Sequence, residues 1–205
     1  MGDGFSLALA AEVGQTVYVG GVGLTTTADN SVVYAKTNTG GTVTAGGSED
    51  DYSIKWDGEI LTLKVAAIHC VKPDSGIHSG IQREGDLNLV LEGENRISGS
   101  SDVAFEDLYG VYASGDLTVS GEGEISMDLN RTAYGTTYGL YGRNVTIESG
   151  TLDVAIESNG AGYGAYADNG VYINGGTITM NSASHQGYKL GVTVTPPEGH
   201  DITME

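Results

Sequence analysis

A chain of 205 residues with 27 acidic and 9 basic side chains carries a formal net charge of −18, and such a field repels phosphate backbones and anionic membrane surfaces. Nucleic acid is thereby excluded as a natural partner. Glycine occurs 33 times and proline only 3 times, with the glycines interleaved among Val, Ile, Leu, Thr and Tyr, which fits many short strands broken by tight turns and excludes a disordered Gly/Pro polymer.

No apolar stretch approaches the roughly 20 residues that span a bilayer, so membrane insertion is not expected. The single cysteine, Cys70, has no partner for an internal disulfide or a thiolate metal site, and reads as a small core residue.

In chain order, Phe5-Ser6-Leu7-Ala8-Leu9-Ala10-Ala11 has the short apolar run and Ala-x-Ala ending of a signal-peptide tail without a basic stretch before it. Residues 1–14 are read as an added leader or signal-peptide remnant, with a first β-strand as the alternative. Residues 15–58 hold strand-like runs at Val17–Val19, Val32–Tyr34, Thr42–Thr44 and Tyr52–Trp56, joined by Gly- and Asp-rich turns. A stacked repeat needs its open end blocked, because unpaired strand edges and core side chains are otherwise exposed, and this segment is assigned as an N-terminal β cap.

From residue 59 onward a repeat takes over. The pairs Leu61/Leu63, Leu87/Leu89, Leu117/Val119, Val145/Ile147, Val171/Ile173 and Val192/Val194 have first members 26, 30, 28, 26 and 21 residues apart. Each pair is an i, i+2 alternation that faces one side of a strand. A second alternating pair follows a Gly-bearing turn, at Ile125/Met127, Leu152/Val154, Ile178/Met180 and Ile202/Met204. A shorter strand precedes three of the units as Tyr109-Gly-Val-Tyr112, Tyr138-Gly-Leu-Tyr141 and Tyr163-Gly-Ala-Tyr166.

Three short strands per repeat, with equivalent strands recurring only after a whole repeat, imply parallel stacking between coils and not hairpins. The expectation for residues 59–205 is an all-β, right-handed parallel β-helix (solenoid) of about six coils.

Asp51-Tyr-Ser-Ile-Lys-Trp-Asp-Gly58, Gly85-Asp-Leu-Asn-Leu-Val-Leu-Glu-Gly-Glu-Asn95 and Gly115-Asp-Leu-Thr-Val-Ser-Gly-Glu-Gly123 resemble β-helical carbohydrate-binding domains of clostridial and other gut Firmicutes surface proteins. The resemblance spans most of residues 16–181. It implies a lyase-like β-helix without lyase activity that binds plant cell-wall polysaccharide such as cellulose or acidic pectic sugar, sometimes with calcium. It implies no particular ligand residue.

Tyr112, Tyr141 and Tyr166 recur at one position of the short strand, and Tyr109, Tyr138 and Tyr163 at another. With Val111, Leu140 and Ala165 inward, i, i+2 alternation puts Tyr109 on the face of Val111 and Tyr112 on the opposite one, so that Tyr112, Tyr141 and Tyr166 form an outward row. Tyr172 faces outward on a neighbouring strand. Such rings offer flat apolar faces and hydrogen-bonding tips to a pyranose, or they stabilise stacked coils with no ligand at all.

Aligning Ile97 on Ile125 places Glu94 over Glu122 and Arg96 over Glu124. Arg96 and Glu124 are then a pair, and Glu94 and Glu122 are like charges one coil apart, where a Ca²⁺ ion is the candidate cation. No catalytic acid/base set is found, and His69, His78, His185 and His200 have no spacing suited to zinc. The sequence therefore points to a non-catalytic, secreted or cell-surface, carbohydrate-binding module, monomeric or weakly associating end to end. The alternative is a structural or adhesive β-helical stalk.

Overall fold

The computed structural model describes residues 14–73, 76–184 and 202–204, and every regular element in them is a β-strand. The leader assignment for residues 1–14 and the Val192/Val194 pair fall, apart from Gly14, outside the described residues.

Five strands precede the repeat: β1 (Thr16–Val19), β2 (Val22–Thr25), β3 (Val33–Thr37), β4 (Val43–Ala45) and β5 (Ile54–Trp56). The first turn comprises β6 (Ile60–Lys64), β7 (Ala67–His69) and β8 (His78–Arg83), and the second β9 (Leu87–Glu92), β10 (Glu94–Ser101) and β11 (Leu108–Ala113). The third is β12 (Leu117–Gly121), β13 (Glu124–Arg131) and the first part of β14 (Thr136–Ile147). The rest of β14, β15 (Thr151–Ser158) and the start of β16 (Ala161–Ile173) make the fourth, and β17 (Thr177–Ser184) and β18 (Ile202–Met204) continue the stack.

All pairing from β6 through β18 is parallel between equivalent strands of successive turns, which defines a β-solenoid of about four turns, fewer than the six coils expected. Three faces result. The first holds β8, β11 and the leading parts of β14 and β16; the second holds β6, β9, β12 and the trailing parts of β14 and β16; the third holds β7, β10, β13, β15, β17 and β18.

Leu87, Leu117, Val145 and Val171 pair in register and are buried, as a column of inward aliphatics requires. Burying each such side chain contributes about 1.5–3 kcal/mol. The first turn departs from the repeat spacing, because Leu61 and Leu63 pair with Leu89 and Leu91, two residues further along than the sequence alignment predicts.

The pre-repeat strands pair antiparallel and meet the first turn edge to edge. β1 lies on β8 and β5 on β6, and on the third face Gly41 O accepts from His69 N at 2.9 Å. Arg83 fastens this junction, donating to Thr16 O at 2.6 Å and to Gln15 Oε1 while its guanidinium lies over the buried Trp56 ring.

On the first face the expected alternation fails at one point. Gly110 and Val111 both face the core, so Tyr109 and Tyr112, three residues apart, both emerge outward. The sequence reading that set Tyr109 beside Val111 is thus corrected. Only glycine fits there, since an added Cβ at Gly110 would sit 2.7 Å from Gly139 O and 2.7 Å from Met127 Sδ.

Candidate functional site

The repeated Tyr-Gly-x-Tyr unit builds a two-column block of six rings on the first face. Tyr109, Tyr138 and Tyr163 stack at centroid distances of 4.9 and 5.3 Å, with interplanar angles of 9° and 12°. Tyr112, Tyr141 and Tyr166 stack at 5.3 and 5.7 Å, with angles of 8° and 9°. Between the columns the rings meet edge to face, as in the Tyr138–Tyr141 contact at 5.3 Å and 76°. Both geometries are favoured by the ring quadrupole.

This corrects the picture of free, flat faces. Stacked rings cover one another, so the half-buried tyrosines turn edges and phenolic tips to solvent. One turn earlier Ser79 and Gln82 occupy the two column positions, and the block begins at Tyr109 and Tyr112.

Carboxylates border the block. Tyr141 donates to Asp168 Oδ1 at 3.1 Å, and Tyr109 donates to Asp107 Oδ2 at 3.4 Å. Burial, followed by the fields of these acids, raises the phenols: Tyr138 and Tyr141 are each pushed up to about 12, and Tyr109 and Tyr112 also move upward. The tips of these four are therefore neutral hydroxyls at ordinary pH, able to donate and to accept.

Tyr172 lies apart from the block, on the second face, 53% exposed and opposite Thr146 in the ladder. The carboxylate alignment is overturned by register: Asn95, not Ile97, pairs with Ile125, and Ile97 pairs with Met127. Glu94 consequently faces Glu124, while Glu122 sits in the turn before β13, and Arg96 approaches Asp128 at 3.6 Å instead of Glu124. Among the described residues, no three His, Cys, Asp or Glu side chains come close enough together to hold a metal ion.

Sequence reasoning missed the corner where the third face turns into the first. Phe105 and Tyr134 project there from successive turns, with ring centroids 6.0 Å apart. Neither belongs to the repeat, and their signal was only that two large aromatics stand in segments of irregular length. Comparison with family models, with curated proteins and with solved structures finds no match to the chain.

Proposed function

We propose that this chain is a non-catalytic carbohydrate-binding module of a secreted or cell-surface protein, and that a polysaccharide lies against its tyrosine face. The observation that carries the reading is the six-ring block. It presents phenolic tips and ring edges from three successive turns on one side of a solenoid, bordered by the hydrogen-bond acceptors Asp107 and Asp168. A strip of that kind suits a hydroxyl-rich chain, whose groups both donate and accept.

A second reading, the structural or adhesive stalk, is favoured by the same stacking, because rings that satisfy one another stabilise the turns without a ligand. Retention on gels containing soluble β-glucan, xylan, galactomannan or polygalacturonate, run with calcium and with chelator, separates the two. Retardation on at least one gel is expected. Free migration on all of them, under both conditions, leaves the stalk.

A further inference from the structure

Three of the four described turns that join the third face to the first are longer than those at the other two corners. The four lie between strands at residues 70–77, 102–107, 132–135 and 159–160, and among the described residues the other corners are closed by three residues or fewer. In stacked-repeat proteins, per-repeat insertions fall in loops on one face, often the binding face.

The middle two of these turns are built around an exposed aromatic pair. Phe105 is 85% exposed and Tyr134 57%, with their rings tilted 60° to one another. Phe105 N donates to Tyr134 O at 2.7 Å, and Phe105 has a φ of +63°, a left-handed conformation that is uncommon for a non-glycine residue. A large aromatic held outward on a left-handed backbone, as Phe105 is, costs stability, and such strain clusters at ligand sites.

Beneath them lies Arg131, 2% exposed, whose Nη2 donates to Val103 O at 2.6 Å and to Tyr134 O at 3.3 Å. One buried guanidinium thus ties both turns together, and its Nε and Nη1 have no protein partner. A buried cation needs compensating charge, and Glu106 and Asp107, whose fields act on Arg131, supply it.

Glu106 and Asp107, which follow Phe105 in the same turn, line a cavity of about 260 Å³ together with Lys72, His78 and Tyr109 among others, whereas Phe105 and Tyr134 stand outside its lining. The cavity is smaller than the roughly 300–1,000 Å³ of sites that take drug-sized ligands, and it matches about one sugar ring. Its Tyr109 wall is also the first ring of the tyrosine block, so the cavity and the block are continuous. Asp107 accepts from Thr136 N at 3.1 Å and from the Tyr109 hydroxyl, and Glu106 Oε2 is buried without a partner.

We infer that this corner is a saccharide subsite for a single neutral pyranose unit of the glycan on the tyrosine face, an inference that rests on the carbohydrate-binding reading. The apolar C–H face of the sugar packs on Phe105 and Tyr134, and its hydroxyls donate to Asp107, while Glu106 is held by Lys72. Charge decides against a uronate. Lys72 is already paired with Glu106, Arg131 is enclosed beneath the turns, and the chain as a whole carries a charge of −18.

The test is quantitative affinity electrophoresis on the same neutral and acidic gels, comparing the whole chain with a Phe105→Ala/Tyr134→Ala variant, and with each protein's thermal midpoint recorded. The wild type is expected to be retained by a neutral polysaccharide and, in chelator, not by polygalacturonate. The variant should lose about tenfold in affinity, or about 1.4 kcal/mol, with its midpoint held, because both side chains are exposed. Wild-type retention that the variant matches within about twofold overturns the subsite and leaves the carbohydrate reading standing. So does preferential retention by polygalacturonate in chelator. A wild type retained by no gel overturns both.

Discussion

Asn95 lies opposite Ile125 in the parallel ladder, an amide set into a column of aliphatic side chains. Its Oδ1 accepts from Ala66 N at 2.9 Å, and its Nδ2 reaches the carbonyls of Glu92, Gly93 and Glu124 at 3.2, 3.3 and 3.1 Å. The side chain therefore links backbone groups of three successive turns: it supplies the partner of Ala66 N, and it adds a second donor to the carbonyls of Glu92 and Gly93, which also accept from Val65 N and Glu124 N. Asn95→Leu keeps the volume and leaves Ala66 N without its acceptor, and is expected to cost about 1–3 kcal/mol, the cost of one buried group left unpaired. Equilibrium denaturant unfolding measures it, and an unchanged midpoint would sink the argument.

Asn95 also shows why the repeat was legible in outline and not in every register. Alternating Leu, Val and Ile identify inward columns, as with Leu87, Leu117, Val145 and Val171. An inward amide is invisible to that signal, and matching Ile97 to Ile125 slid one strand by two residues and carried Glu94 and Arg96 to the wrong neighbours. The inward Gly110 deceived the alternation rule in a similar way, because glycine reads as a turn residue. Phe105 and Tyr134 were illegible for another reason: they stand in turns, where no periodicity says which way a side chain points.

Gly110→Ala should destabilise the solenoid by about 1–3 kcal/mol through overpacking. The added methyl would meet Gly139 O, a backbone atom that cannot swing aside, as well as Met127 Sδ. A thermal melt of the variant tests this, and a midpoint at or above that of the wild type would show that the turns separate more readily than the stacked geometry allows.

Cys70 should be inert in the folded protein. It is buried, and burial pushes its thiol up to about 12, so almost no thiolate exists at neutral pH. An aromatic disulfide reagent is expected to label no thiol in native protein and one in denaturant. Rapid labelling without denaturant would mean that the wall between Gly80 and Gly99, which encloses the sulfur, opens readily.

Alkaline pH should weaken the fold through the tyrosine block. Tyr138 and Tyr141 have an ordinary value of 10.0 and are raised to about 12 in the folded state, mainly by burial, with Asp107 and the Asp168 hydrogen bond adding to it. Between those values the unfolded chain has released protons that the folded chain retains, so stability is full below pH 10.0 and declines as the pH rises towards about 12. Denaturant midpoints across that window should fall for the wild type and fall less for Tyr138→Phe/Tyr141→Phe. Equal slopes would detach the effect from these two phenols.

The roles of ring and hydroxyl in Tyr112, Tyr141 and Tyr166 can be separated with two triple variants. Alanine at all three positions removes two parallel stacks and the edge contacts to the other column, at about 0.5–1.5 kcal/mol per aromatic pair, so this variant should melt lower whether or not a glycan binds. Phenylalanine keeps the stacking and deletes only the tips, including the one that donates to Asp168. Because the ring faces cover each other, a glycan on this strip is recognised through hydroxyls and edges. The phenylalanine variant is therefore expected to keep most of the thermal midpoint and to lose most of its retention on the neutral polysaccharide that retards the wild type. If it is retained as strongly as the wild type, the three hydroxyls make no contact with sugar, and the column serves to hold one turn upon the next.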